Sequence, residues 1–345
     1  MSDLLFLICS DISAEMPSNG KNALLRLASE IQRNNYQVKV VFTINKHPHI
    51  INPFTHLFGQ PLSQFVGAEP DADIATLVKR YNRIRYAQAR LNIFGLSPLE
   101  DMSYLKGKNY VVIYPESFSQ NPLQAENVVR FYGFKPGILN DQDPLGSQYS
   151  DSEFKVVTSK NLLMDKKHPL LADHILFDPF VDHIFVNKNL PNWSNRQIAL
   201  IYKGKNKIAD KPINYKDALF IDRDWPDRFT LSQLMPNAKY LFTYDPYTFL
   251  GVEAILCGTV PIFCDNWRVN DEEIDGGELG PIPRFTLEDY ENGRIDHDLF
   301  QKQRQQLVLN LAKLQEEWPK NVSLFIEKAL KKFGLTKKHF TKDDR

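Results

Sequence analysis

Asp245 and Glu253 are the two residues whose type and spacing best suit chemistry on a polar, phosphorylated ligand. They lie in KYLFTYDPYTFLGVEAILCGTVPIFCDN, residues 239–266, which reads as strand, turn, buried helix, glycine stop and second strand. Asp245 followed by Pro246 is a helix-start signature: an acid at the N-cap and proline at the first helical position. From Tyr247 to Cys257 the run is apolar on nearly every face except at Glu253, which predicts a buried helix carrying one carboxylate. A buried carboxylate without a partner is costly, so Glu253 needs one, whether a ligand or a structural arginine. Gly258 predicts a left-handed helix stop. A helix start between the tips of parallel strands is where an α/β protein holds phosphate. The amides of Tyr247, Thr248 and Phe249 would do this here, with the Thr248 hydroxyl beside them. Asp245 serving as an N-cap alone, worth about 1 kcal/mol, is the competing reading.

Two further groups have suitable types. Glu116, Ser117 and Asn121 follow the strong strand NYVVIY at residues 109–114, and so occupy a loop at the carboxyl edge of a sheet, where ligands bind in open α/β folds. Arg80 and Arg83 stand with Lys79, Arg85 and Arg90 on a helix expected over residues 73–91, interleaved with Tyr81 and Tyr86. That face is either solvated or a surface for an anionic acceptor or anionic lipid headgroups.

The elements that must position these groups read as two Rossmann-like series. The first has strands at residues 4–10, 37–43 and 109–114, with a helix at 22–33. The loop before that helix lacks G-x-G-x-x-G, so nothing in it asks for a dinucleotide. Asn121-Pro122 opens a further helix, expected over residues 123–131, and weak strands follow at 154–158, 175–177 and 183–186. The polar stretch 187–195 is the best linker. A second series begins with the strand at 197–202, followed at once by Lys203-Gly204-Lys205, and continues through a strand at 218–222. A charged helix is expected over 298–317, stopped at Trp318-Pro319, with a last helix at 322–333 and a basic tail. The expected domains are therefore 1–188, 189–320, and a C-terminal helix and tail, 321–345, packing back on the first domain.

Composition narrows the class. The 345 residues are 43% hydrophobic and 24% charged, which suits a globular chain. Lys+Arg and Asp+Glu balance at 42 each, so net charge gives no argument for a nucleic-acid partner. The three cysteines all sit in apolar runs and show no CxxC spacing, which predicts buried thiols and no zinc site. No apolar run nears the ~20 residues of a membrane span. The location read from this is cytoplasmic, with peripheral contact at the inner face of the membrane left open.

The residues then carry a resemblance. Asp245-PYTFLGV-Glu253-AILC-Gly258-TV-Pro261 has the spacing of the Glu-x7-Glu element of family 4 GT-B glycosyltransferases, with Asp in place of the first Glu. Tyr114-PESFSQNP-Leu123, with Val128-Val129-Arg130 and Lys135-Pro136-Gly137 after it, resembles glycosyltransferases of bacterial envelope polysaccharides such as lipopolysaccharide and capsule. The resemblance implies an α/β fold of two Rossmann-like domains facing across a cleft, and transfer of a sugar from a nucleotide diphosphate sugar to a glycan or glycolipid acceptor with retention. It implies that Lys203 and Lys205 contact the diphosphate, that Glu253 meets the ribose hydroxyls, and that Asp245 meets the sugar or the diphosphate region. Tyr244, Tyr247, Thr248 and Phe249 complete the donor site. Glu116 is the candidate for acceptor contact or proton removal, with Ser117, Asn121, Arg80 and Arg83 on the acceptor side. No cofactor and no metal is implied. The competing function is a non-catalytic nucleotide-sugar or phosphosugar binding protein on the same scaffold. Asp222-x-Asp224 and Asp141-x-Asp143 imitate a metal-binding Asp-x-Asp but read as turns, and His47, His49 and His56 read as loop residues.

Overall fold

A computed structural model of the chain describes residues 4–11, 19–44, 47–51, 85, 87–116, 118, 121–133, 151–163, 170–186, 190–204, 213, 215–222, 226–245, 248–264 and 277–335. The chain divides into two α/β units. The first comprises Met1–Leu163, Lys167–Asp178 and Trp318–Arg345, and the second Met164–Lys166 and Pro179–Glu317.

The first unit holds β1 (Leu5–Asp11), α1 (Asn19–Arg33), β2 (Gln37–Ile44), β3 (His47–Ile51), α2 (residues 87–94), β4 (Tyr110–Pro115), β5 (Asn127–Tyr132), β6 (Phe154–Val157) and β7 (His174–Ile175). The sheet order is β3-β2-β1-β4-β5-β6-β7. Every neighbouring pair is parallel except β2 with β3. β1 is central, and its continuous apolar run Leu5–Cys9 is fully buried, as a strand covered on both faces requires. α1 buries Ala23, Leu24, Leu27, Ala28 and Ile31 and is followed by Asn35 at φ 63, a left-handed position that asparagine tolerates.

The second unit holds β8 (Ile198–Tyr202), β9 (Ala218–Ile221), α3 (Arg228–Leu234), β10 (Ala238–Thr243), α4 (Leu250–Leu256), β11 (Val260–Phe263), β12 (Phe285–Thr286) and α5 (Leu287–Glu291). Its sheet is all parallel, in the order β12-β11-β10-β8-β9. Leu231 of α3 and Met235 just after it, and Leu250 and Ala254 of α4, pack on Leu200, Ile221 and Leu241 of the sheet. Two Rossmann-like α/β units are thus the fold that the sequence pattern predicts.

Four expectations are corrected. His47 and His49, expected in a loop, lie on β3, which pairs antiparallel with β2. Residues 127–132 form β5, not the end of a helix. Asn121 does not cap a helix; its Nδ2 donates to the Ala125 carbonyl at 2.8 Å, and its Oδ1 accepts from the Ala125 amide at 3.0 Å. This closes a tight loop, in which Gln124 takes φ 50, and the β-branched and aromatic run after it joins the sheet. Residues 183–185 form a 3-10 turn capped by Asp182, not a strand. Finally, α6 runs unbroken from His297 to Lys332 with Pro319 inside it. An interior proline costs about 3 kcal/mol or more. Here the burial of Trp318, Val322, Phe325, Ile326 and Ala329 opposes that cost. Phe325 lies 6.0 Å from the Phe154 ring, and Lys332 donates to the Glu153 carbonyl at 2.7 Å and pairs with Asp173 at 3.0 Å.

Candidate functional site

In the second unit the chain order reverses direction between β8 and β10. From β8 the chain moves outward to β9, then crosses back to β10 and continues to β11 and β12 on the other side. A reversal of this kind leaves a crevice at the carboxyl ends of the two strands, which is the ligand position in open α/β sheets. Register puts Tyr202 opposite Thr243, so Lys203-Gly204 and Tyr244-Asp245 emerge side by side. The Tyr244 amide extends the ladder to the Tyr202 carbonyl at 3.1 Å.

The local chemistry holds this edge tightly. Thr243, fully buried, accepts from the Asp245 amide at 3.1 Å and donates to the Asp245 carbonyl at 3.2 Å. Asp245 is itself buried. Gly204 sits at φ +64, and a Cβ there would stand 2.4 Å from the Asp245 Cβ and 2.9 Å from its Oδ2. Only glycine lets the β8 turn approach the Asp245 side chain so closely. Lys203 beside it is exposed, its Nζ 5.8 Å from the Phe220 ring centroid. Tyr244 is buried, and Thr248 and Phe249 are half-buried.

The helix start departs from expectation. α4 begins at Leu250 with Phe249 as its N-cap, so Asp245 is not its cap. The Asp245 carbonyl instead accepts from the Thr248 amide at 3.2 Å, making a separate turn ahead of the helix. The Thr248 Oγ1 then accepts from the Leu250 amide at 3.3 Å. The Thr248 amide is therefore engaged within the protein.

Glu253 is 1% exposed, and its partner is an arginine. Arg228 Nη1 donates to Oε2 at 2.9 Å and Nη2 to Oε1 at 2.6 Å, a bidentate pair. The guanidinium lies 4.4 Å from the Phe185 ring centroid. Sequence reasoning allowed an arginine here without naming it, because the two positions are 25 residues apart. At the other end of α4, Gly258 takes φ +71, as the glycine stop predicts. Two more arginines close that end. Arg304 Nε donates to the Ile255 carbonyl at 3.0 Å, and Arg196 Nη1 donates to the Gly258 carbonyl and reaches the Cys257 carbonyl at 3.4 Å. Burial, and for Arg196 also the charge of Arg304, lowers both below the usual arginine range. Burial and the charge of Glu253 push the Cys257 thiol up to about 12, so it is an inert core group.

In the first unit Glu116 follows β4 and is half-buried. Its amide donates to the Phe131 carbonyl at 3.0 Å, and its Oε2 accepts from the Gly133 amide at 3.0 Å. This ties the ends of β4 and β5 one strand away from the reversal point between β1 and β4. Asn121 accepts from the Tyr114 hydroxyl at 3.0 Å as well as from Ala125. Arg130 is fully buried and pairs with Glu153 at 2.8 Å, and it also donates to the Phe118 carbonyl. Ser117, Arg80, Arg83, Lys205 and Tyr247 lie outside the described residues, as do His56, Asp141, Asp143, Asp224 and the side chains of His47 and His49. Asp222 is exposed just past β9. Among the described residues no group of three or more His, Cys, Asp or Glu is placed to hold a metal ion. No helix among them is long and apolar enough to cross a membrane. The three cysteines are buried and none is in a disulfide.

No family model matches the chain, and no curated protein matches it. Among solved structures it is similar to the sucrose-phosphate synthase from Thermosynechococcus elongatus, at 12% identity and a TM-score of 0.39, with 96% of this chain and 97% of that one covered. It is similar to an alpha-glucosyltransferase in complex with UDP and a 13-mer DNA containing an HMU base, at 12% identity and a TM-score of 0.45, covering 92% and 99%. A third is a UDP-glucose:anthocyanidin 3-O-glucosyltransferase in complex with UDP, at 10% identity and a TM-score of 0.41, covering 94% and 99%.

Proposed function

We propose that the chain is a glycosyltransferase that moves a sugar from a nucleotide diphosphate sugar to a glycan or glycolipid acceptor in bacterial surface polysaccharide synthesis. The observation that carries this reading is the close approach of Gly204 to Asp245 at the reversal point of the second unit's sheet, with Lys203 exposed beside it. A glycine with no side chain lets the β8 turn close on the Asp245 side chain, a lysine supplies positive charge for a diphosphate, and the carboxylate supplies acceptors for sugar hydroxyls.

In the reaction the bond between the anomeric carbon and the diphosphate oxygen breaks, and the acceptor hydroxyl oxygen forms the new bond on the same face of the sugar. The acceptor proton passes to the departing phosphate, so that no dedicated base is required. Lys203 and Lys205 offset the charge that develops on the leaving nucleoside diphosphate. Asp245 orients the sugar, and Glu116 contacts the acceptor on the first unit, with Ser117, Asn121, Arg80 and Arg83 as the other acceptor-side residues. The reaction is read as metal-independent.

The test is a panel of nucleotide sugars, scored for release of free nucleoside diphosphate with and without glycan acceptors, in the presence of chelator. The reading expects release from one donor class, accelerated by acceptor and lowered at least ten-fold in Asp245→Ala. Nucleotide-sugar binding without release under any condition would make the chain a non-catalytic binding protein. Absence of binding to every nucleotide sugar would reject both.

A further inference from the structure

Glu253 and Arg228 divide one task unequally. The Glu253 side chain is 1% exposed and that of Arg228 35%, so the solvent side of the pair belongs to the arginine. The two-point contact, 2.6 and 2.9 Å, fixes the guanidinium plane against the carboxylate, and the Phe185 ring at 4.4 Å supports it from another direction. Arg228 is the first residue of α3, directly after its N-cap Asp227. A cation in the first turn of a helix opposes the helix dipole, so local helix chemistry does not explain an arginine there. α3 follows β9, and β9 pairs with β8, whose carboxyl end leads into Lys203-Gly204. The arginine thus stands on the carboxyl edge of the sheet, the edge that carries the candidate site.

We infer that Arg228 is the group that meets the phosphates of the nucleotide, and that Glu253 is its buried anchor. This rests on the nucleotide-sugar reading above. It departs from the direct ligand contact that the resemblance implies for Glu253: the acid acts through the arginine. A planar guanidinium held on a carboxylate is pre-organised for an anionic oxygen, since its orientation is fixed before the ligand arrives. Glu253 is then a positioning residue.

The experiment compares each nucleoside diphosphate with its nucleoside and with pyrophosphate. Wild-type protein is titrated calorimetrically with UDP, GDP, ADP, CDP and TDP, with the matching nucleosides, and with inorganic pyrophosphate. For the nucleotide that binds, Arg228→Ala, Arg228→Lys and Glu253→Gln are titrated in the same way, with thermal unfolding run on each. Arg228→Ala is expected to weaken the diphosphate about 10- to 100-fold, while nucleoside affinity stays within two-fold. Arg228→Lys keeps the charge without the fork and should recover part of the loss. Glu253→Gln should weaken the diphosphate by a smaller factor, and adding it to Arg228→Ala should change little. An unchanged ratio of nucleoside to diphosphate affinity in Arg228→Ala would overturn the inference, as would equal loss of both ligands. If a variant is too unstable to titrate, pyrophosphate competition on Arg228→Lys decides: undiminished competition overturns the inference, and weakened competition supports it. Wild-type protein binding none of the nucleotides would reject the donor reading itself, a result visible before any variant is made.

Discussion

Gly204→Ala is the substitution whose consequence the geometry fixes most closely. Two costs add. Placing alanine at φ +64 costs about 1–2 kcal/mol. The new Cβ would also lie 2.4 Å from the Asp245 Cβ, 2.9 Å from Oδ2 and 3.1 Å from Cγ. Carbon atoms prefer about 3.5–4.0 Å, so one turn must move by roughly 1 Å. Overpacking of that kind costs about 1–3 kcal/mol. The expected loss is therefore about 2–5 kcal/mol, or roughly 5–15 °C in Tm for a unit of this size. Thermal and urea unfolding measure it. The decisive control repeats Gly204→Ala in an Asp245→Gly background, where the three nearest atoms are gone. The steric part should vanish there, leaving about 1–2 kcal/mol of backbone strain. A Gly204→Ala protein that melts within 2 °C of wild type, or one whose loss is unchanged in the Asp245→Gly background, would refute the close approach on which the candidate site stands.

Three further outcomes are expected. Glu153→Ala leaves the fully buried Arg130 without its carboxylate and should cost about 3–5 kcal/mol, read by urea unfolding of the first unit. Arg304→Ala strips donors from the carbonyls of Ile255 and Leu256; it should cost about 1–3 kcal/mol and speed amide hydrogen exchange at the C-terminal end of α4. His174 is buried against Phe325 with Lys328 Nζ 3.5 Å from its Nδ1. Burial, reinforced by the Lys328 charge, lowers its pKa from 6.5 to about 4. Because the folded value lies below the unfolded one, protonation favours the unfolded chain. The contribution is complete above pH 6.5 and is lost as pH falls through 6.5 toward 4, on the order of 3 kcal/mol in all. Unfolding titrations of wild type and His174→Leu over that window should show the slope in the first and not in the second.

Much of the scaffold is legible in the sequence where one local signal suffices. The run Leu5–Cys9 announces a strand buried on both faces, and Gly258 announces the end of α4. Local signals mislead where a side chain makes an unexpected bond. Asn121-Pro122 resembles a helix start, but Asn121 closes a loop on Ala125, and strand pairing with β4 and β6 then decides the fate of residues 127–132. Asp245-Pro246 looks like the cap of α4, but the Asp245 side chain is packed on the Gly204 turn and its carbonyl closes a turn of its own. Pro319 reads as a stop, yet the apolar face on both sides of it carries the helix through. The need of Glu253 for a partner follows from its apolar surroundings alone. The identity of that partner does not, since it comes from another helix.

We place a nucleotide on the carboxyl edge of the second unit's sheet. Hydrogen exchange followed by mass spectrometry, with and without saturating nucleoside diphosphate, tests it most directly. Exchange should slow in peptides covering the turn after β8 at Lys203-Gly204 and the turn after β10 at Tyr244-Asp245, with little change at the amino ends of the same strands. Bound nucleotide that leaves both turns exchanging at their free rates would contradict it.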